Sequence, residues 1–146
     1  MPRLDFTAFA WIAAHPWLYP ALETVHLVGI GLLVGSLVLV ELRVLGLGAA
    51  LPLQPLGRFG LRLTVTGFGI AAASGLTLFL SQGDEMLANG AFLTKLALLT
   101  LAGLNALGFH LRRGLAKADA LARAQAFASL GIWLGIIICG RWIAYV

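Results

Sequence analysis

Four long apolar segments occupy most of this 146-residue chain. Each has about 20 residues or more, the length that an α-helix needs to cross the roughly 30 Å hydrocarbon core of a bilayer. Hydrophobic residues make up 60% of the chain and charged residues only 11%, whereas about a quarter of the residues in a soluble domain are charged. The sequence therefore predicts an all-α protein whose partner is the lipid bilayer, a polytopic membrane four-helix bundle.

The boundaries of the four segments follow from prolines, glycines and capping residues. In residues 1–20 the apolar pattern is interrupted, and the stretch Leu4–Ala14 predicts a short N-terminal interfacial helix. Residues 21–146 are expected to form the membrane domain. Asp119 has the position and the side chain of a helix N-cap for the last span. The expected spans are residues 21–45, 56–80, 91–113 and 120–144.

The basic residues are distributed unevenly between the two sides of the expected bundle. Seven lie near the connections between spans one and two and between spans three and four, and three lie on the other side. By the positive-inside rule the richer side is cytoplasmic, so both termini are expected outside a bacterial-type inner (cytoplasmic) membrane. The net charge of +4 then reflects topology and lipid headgroups, and binding to nucleic acid is not indicated. The seven residues are Arg43, Arg58, Arg62, Arg112, Arg113, Lys117 and Arg123.

Four ionisable residues are expected at similar depth on the side of the termini: Glu23, His26, Lys95 and Arg141, here called the first cluster. Ionisable side chains inside a bilayer are costly and often functional. One interpretation is a buried salt-bridge lattice, in which Glu23 pairs with Lys95 or Arg141. The other is a binding pocket, because two cations beside one carboxylate suit an anionic ligand group such as a propionate.

The ligand set of the first cluster favours a porphyrin over a bare metal ion. A haem needs one good axial imidazole and cations for its propionates, which His26, Lys95 and Arg141 can supply, with Glu23 orienting the imidazole. A di-iron site needs more glutamates than the spans contain. Copper(I) prefers thiolate and thioether ligands, and the few candidates, such as Cys139, are scattered. Haem b is therefore the expected cofactor, with copper as the alternative.

A second cluster is expected at the other side of the bundle, comprising Glu41, His110 and Arg62. His110 lies roughly 20 Å deeper than His26, at 1.5 Å per helical residue, so the two histidines cannot ligate one haem. An interfacial charge network around Glu41 is one interpretation of this cluster. A second haem site or a quinone site with His110 as its ligand is the other.

Short motifs over residues 21–146 resemble a loose group of four-span bacterial membrane proteins that includes the CopD copper-resistance domain and the HemJ-type protoporphyrinogen oxidases. The chain looks most like a member of a further family within that group. Leading into the first span are Trp17-Leu18-Tyr19-Pro20 and Glu23-Thr24-Val25-His26, and Gly140-Arg141-Trp142-Ile143-Ala144-Tyr145 closes the chain. The shared motifs are Leu42-Arg43-Val44-Leu45, Arg58-Phe59-Gly60-Leu61, Ser74-Gly75-Leu76 and Phe92-Leu93-Thr94-Lys95-Leu96.

The resemblance implies two different roles. In the oxidase family a first-span histidine and a third-span lysine are associated with haem b, which would map onto His26 and Lys95. The CopD domain implies copper uptake or tolerance. The sequence leaves open a haem-binding redox protein, a small-solute or metal transport module, and a structural subunit of a larger membrane complex, and it does not decide whether the protein is an enzyme. Gly31 and Gly35, four residues apart, are expected to face a neighbouring helix or a homodimer seam.

Overall fold

The computed structural model describes residues 6–146, and within them every regular element is helical. These residues form four long helices and three short ones. A 3₁₀ turn at Thr7–Phe9 precedes α1 (Ala10–Ala14), and the other short helices are α4 (Gly83–Ala88) and α6 (Gly114–Lys117). The long helices are α2 (Leu18–Val44), α3 (Leu53–Ser81), α5 (Gly90–Leu111) and α7 (Ala120–Trp142).

All four long helices are long and apolar enough to cross a membrane, which confirms the all-α, multi-pass prediction. The first span begins earlier than expected, at Leu18, because Nδ1 of His15 accepts the backbone N–H groups of Trp17 and Leu18 at 3.3 and 3.1 Å. The third span ends at Leu111, near Arg113, whose left-handed φ of 54° interrupts the helix. Hydropathy thus located the spans, and local caps and turns set their ends.

The N-terminal segment is only partly the expected interfacial helix. The prediction covered Leu4–Ala14, of which residues 4 and 5 lie outside the described part of the chain. From residue 6 onward the chain forms the 3₁₀ turn and the five-residue α1. The Phe6 ring packs edge-on against Phe79 of α3, with centroids 5.4 Å apart, and it also lies against Gly83. Aromatic packing on the bundle therefore holds this segment in place.

Helices α2 and α3 pack very closely, and glycines make the approach possible. A Cβ atom at Gly29 of α2 would lie 2.7 Å from the backbone nitrogen of Ala71. A Cβ atom at Gly67 of α3 would collide with the backbone of Leu33, and one at Gly60 would collide with the side chain of Val40. Small residues at such contacts allow membrane helices to approach each other without a hydrophobic driving force between them.

The expected small-residue pair Gly31 and Gly35 does not form this contact. No atom lies within 4 Å of a Cβ built at either position, so both face away from the other described helices. The glycines that pack, Gly29 and Gly67, lie on a different face of their helices. Small residues four positions apart lie on one face of a helix, but the spacing does not show whether that face contacts the neighbouring helix.

The second helical hairpin, formed by α5 and α7, lies against the first hairpin through α7 and α2. Asn105 of α5 donates its side-chain N–H to the carbonyl oxygen of Gln125 in α7 at 3.0 Å. Asp119 caps α7, as expected, by accepting the N–H of Ala122 at 2.8 Å. Because α3 contacts α2, α2 contacts α7 and α7 contacts α5, the long helices follow the spatial order α3, α2, α7 and α5.

Candidate functional site

His26 of α2 faces α3 and is held there by two oxygens. Its Nδ1 lies 2.8 Å from the carbonyl oxygen of Ala71 and 3.1 Å from the hydroxyl oxygen of Ser74. A carbonyl can only accept, so we assign the imidazole proton to Nδ1. The Ser74 hydroxyl in turn donates to the carbonyl of Ile70 at 2.7 Å. The second ring nitrogen, Nε2, therefore carries a lone pair that these bonds do not use.

The place for this imidazole is created by the close packing of α2 and α3. A Cβ atom at Gly75 would lie only 2.8 Å from Cε1 of His26, so any larger residue would displace the ring. The tight contact at Gly29, one turn further along α2, brings the α3 backbone within reach of the histidine. The glycines of this seam thus determine both the helix spacing and the orientation of His26.

Lys95 of α5 is the member of the first cluster that acts on His26. The lysine is half-buried, and its ammonium nitrogen lies 3.6 Å from where a Cβ of Gly140 in α7 would stand. From this position its charge acts on the imidazole of His26. The charge of Lys95 therefore reaches His26, and the expectation that the two residues form one binding site stays a prediction.

Glu23 and Arg141 do not join them. Glu23 is exposed and acts electrostatically on Tyr19, while Ala71 and Ser74, not Glu23, orient His26. Arg141 turns to the end of α7, where Nη2 donates to the Tyr145 hydroxyl at 2.6 Å. Its guanidinium carbon also lies 5.1 Å from the centroid of that ring, a cation–π contact.

The expected salt-bridge lattice between Glu23 and Lys95 or Arg141 is therefore not formed. Among residues 6–146 the structure has one ion pair, between Arg112 and Asp119 at 3.0 Å, and that pair lies on the opposite side of the bundle. Arg141 instead lines an open cavity of about 480 Å³ together with Trp142 and Tyr145. The helix rotations, which the uniformly apolar spans left undetermined, separate residues of matching depth.

The three residues of the second cluster are also far from forming one site. Arg62 is exposed on α3. His110 is exposed on α5, and its Nδ1 donates to the carbonyl of Ala106, one turn earlier, at 2.8 Å. Glu41 is buried where α2 meets α7, beside the hydroxyl of Ser129. The interfacial charge network expected around Glu41 is replaced by a solitary buried carboxyl group.

The partners that the sequence analysis missed are Ala71, Ser74 and Ser129. Depth matching could have found Ser74, because it lies seven residues before the end of α3 and His26 lies eight residues after the start of α2. Antiparallel helices place such residues at the same level. The Ala71 carbonyl gives no signal in sequence, since any residue type carries one.

The described residues offer few ligands for a metal ion without a porphyrin. Within the described residues no group of three or more His, Cys, Asp or Glu side chains is placed to hold a metal ion. His15, a second imidazole near the start of α2, uses its Nδ1 to cap that helix. Cys139 is a free thiol beside Lys95.

No protein-family model, curated protein or solved structure matches this chain. The resemblance of its short motifs to the CopD and HemJ-type group therefore remains an expectation. The functional argument depends on the geometry around His26 and Lys95.

Proposed function

We propose that this integral membrane protein binds haem b, or a similar anionic cofactor, beside His26 and serves in a redox or electron-transfer role. The observation that carries the proposal is the hydrogen bond from Nδ1 of His26 to the Ala71 carbonyl. Metal-ligating histidines nearly always donate the proton of the other ring nitrogen to a carbonyl or carboxylate, which fixes the tautomer and makes the ligating nitrogen more basic. His26 donates its Nδ1 proton to a carbonyl in this way, which leaves Nε2 available as the ligating nitrogen.

The surrounding residues fit such a group in part. His26 would hold the iron through Nε2, and the ammonium of Lys95 would compensate the charge of one propionate. Glu23 and Arg141 point elsewhere, so a second propionate would rely on the aqueous interface or on a movement of Arg141. When bound, the cofactor supplies one-electron chemistry, and the axial ligand and the local charge determine its potential.

The charge distribution supports an orientation for this site. With seven basic residues on the opposite side of the bundle, we propose that both termini face the outside of a bacterial-type inner membrane. His26 and Lys95 then lie nearer the outer leaflet, and Glu41 lies nearer the cytoplasmic leaflet. Cysteine accessibility labelling at residue 84 and at residue 117, in intact cells, tests this orientation directly.

The absorption spectrum of the purified protein in mild detergent, oxidised and reduced, tests the proposed cofactor. We expect a Soret band that survives purification or grows on haem addition, and we expect His26→Ala to abolish it. His110→Ala is the matched control, because His110 has the same Nδ1-to-carbonyl bond but is exposed and distant from Lys95. A normal spectrum in His26→Ala would overturn the ligand assignment, and a colourless wild-type protein that gains nothing from added haem would overturn the function.

The role of Lys95 is tested separately. Lys95→Gln should weaken haem retention while leaving the shape of the spectrum unchanged, because the axial ligand remains. Lys117→Gln, which removes an exposed ammonium on the opposite side, serves as the control. Equal haem retention in both variants would remove Lys95 from the site.

The assembly state follows from the same purification. A measured mass of the protein in mild detergent distinguishes a monomer from a homodimer or a larger membrane complex. Gly31 and Gly35, which face open space on α2, are the surface where we expect a second helix to pack.

A further inference from the structure

A cavity of about 290 Å³ lies between α2 and α7, on the face of α2 that the proposed haem site does not use. The surface that lines it is apolar, and Glu41, at one end, is the only ionisable residue of the lining. Leu134 and Ile137 at the rim are 59% and 41% exposed, so the cavity opens onto the lipid-facing surface of the bundle. Trp133 provides an aromatic wall.

Glu41 is buried here without a full set of partners. The residue is 6% exposed, and its Oε2 atom has no hydrogen-bond partner. The Ser129 hydroxyl of α7 lies beside the carboxyl group, and Oε2 is left unsatisfied behind the apolar lining of the cavity. A buried polar atom without a partner is destabilising, and an ionisable residue within a membrane span commonly serves as a counter-ion or a substrate contact.

The chemistry of the lining selects the kind of ligand. An anion finds no cationic residue in the lining, and a small hydrated metal ion would find one carboxyl group among hydrocarbon walls. An organic cation matches the lining, because its charge pairs with Glu41 and its apolar body fills the apolar space along the indole of Trp133. The lipid-facing rim favours a cation that partitions into the bilayer.

We propose that the cavity between α2 and α7 binds a lipophilic organic cation, whose charged nitrogen lies against Glu41 and whose apolar body lies along Trp133. Glu41 lies three residues before the end of α2, about 5 Å from that end at 1.5 Å per residue. The charged head of the ligand is thereby placed near the headgroup level, and the body extends toward the centre of the bilayer.

Binding of the cation is coupled to a proton. An unpaired carboxyl in an apolar wall is most stable as the neutral acid, so a bound cation takes the place of one proton, which leaves to water. The basic residues nearest along the chain do not neutralise it. Arg43 donates to the carbonyls of Leu51 and Ala49, and Arg62 of α3 and Arg123 of α7 are exposed. The affinity for the cation should therefore rise as the pH rises.

A matched pair of probes tests the charge requirement. Phenyltrimethylammonium and tert-butylbenzene have nearly the same shape, but only the first is charged. Trp133 fluorescence reports binding once the other tryptophans are replaced by phenylalanine. Two of those, Trp11 and Trp17, are 59% and 80% exposed, so the replacements disturb little packing. We expect saturable binding of phenyltrimethylammonium in detergent, tighter at higher pH, and much weaker binding of tert-butylbenzene.

Variants identify the carboxylate. Glu41→Gln keeps the shape of the side chain and should weaken binding of the cation about tenfold or more, the scale of a desolvated charge partner. Glu85→Gln, which removes an exposed carboxylate on α4, should bind like the wild type. Phenyltrimethylammonium should also protect Glu41 from labelling by a lipid-soluble carbodiimide, a test that needs no variant and so does not depend on Glu41→Gln folding correctly.

Equal affinity for the two probes, or unchanged binding in Glu41→Gln, would show that the cavity accepts any apolar molecule or a lipid chain, and this would overturn the proposal. Carbodiimide labelling that the cation does not slow would have the same consequence. The haem site lies on another seam, so His26→Ala should bind the cation normally. A failure of one proposal therefore leaves the other standing.

Discussion

His26 and Glu41 lie fifteen residues apart on α2, and they differ in how the neighbouring helix receives them. On the α3 side, glycines let the helices approach until a backbone carbonyl and a hydroxyl reach the imidazole. On the α7 side, larger residues hold the helices apart, and a cavity remains beside a carboxyl oxygen without a partner. Close packing has fixed one polar group in place, and looser packing has left the other without a full set of hydrogen-bond partners.

The largest effect is expected where the tight seam is broken. Gly67→Ala places a methyl group against the backbone of Leu33 and should lower the free energy of unfolding by about 1–3 kcal/mol, with loss of the His26 site. Gly69→Ala, two residues further along the same helix, meets nothing within 4 Å and should be neutral or stabilising by up to about 1 kcal/mol. Unfolding in mixed micelles measures both. Similar destabilisation in the two variants would contradict the close-packing argument.

Replacing the two polar groups by apolar ones should change stability in opposite directions. His26→Leu removes a satisfied hydrogen bond and should lower the free energy of unfolding by about 1 kcal/mol. Glu41→Met removes an unsatisfied buried oxygen and should raise it by about 1 kcal/mol in the absence of ligand, because Ser129 can bond to its own helix instead. The same mixed-micelle unfolding assay applies, and a loss of stability in both variants would show that Glu41 is satisfied in the membrane.

A smaller effect is expected from Ser74→Ala. The Ala71 carbonyl still accepts from Nδ1 of His26, so the tautomer should persist, and the stability should fall by about 0.6 kcal/mol, the average for hydrogen bonds between membrane helices. Nitrogen chemical shifts of the imidazole report the tautomer. Thr77→Ala, which removes a hydroxyl bonded to the carbonyl of Ala73 in its own helix, is the control. Movement of the proton to Nε2 in Ser74→Ala would show that Ser74, and not Ala71, fixes the ring.

The smallest effect lies outside the spans, at Asp119. The backbone N–H of Ala122 and, secondarily, the charge of Arg112 hold the pKa of this carboxyl below its usual range. The stabilisation it gives is therefore complete above the unfolded pKa and is lost as the pH falls through the lower folded value. Asp119→Ala should remove this acid-dependent step from the stability profile without altering the spectrum of the His26 site or cation binding at Glu41. A change in the spectrum of the His26 site or in cation binding at Glu41 would show that the connection after α5 is coupled to that site.

Hydropathy and length were sufficient to predict the fold, because a bilayer admits few alternatives to a bundle of apolar helices. The errors were confined to the ends. The first span begins at Leu18 because His15 caps it, and a left-handed residue at Arg113 precedes the extra helix α6. These are contacts of single side chains and single φ angles, and the apolar pattern carries no record of them.

The candidate sites were harder to predict because uniformly apolar helices do not reveal their rotation. Depth alone grouped Glu23 and Arg141 with His26, whereas in the structure Glu23 is exposed and Arg141 donates to the Tyr145 hydroxyl. Lys95 is the member of that group whose charge acts on His26, and their joint site stays a prediction. The sequence could not predict the unpartnered oxygen of Glu41 or the adjacent cavity, because both arise only when α2 and α7 pack against each other.

The gap between α3 and α5 has a mechanical consequence. These helices touch through the stacked rings of Phe79 and Phe92, whose centroids are 5.5 Å apart, but neither packs along the length of the other. Because α2 and α7 hold the two hairpins together, the bilayer's lateral pressure should act mainly on the width of this gap. Bilayer thickness and acyl-chain order should consequently tune the distance between Lys95 on α5 and His26 on α2, which makes the surrounding lipid an adjustable component of the site.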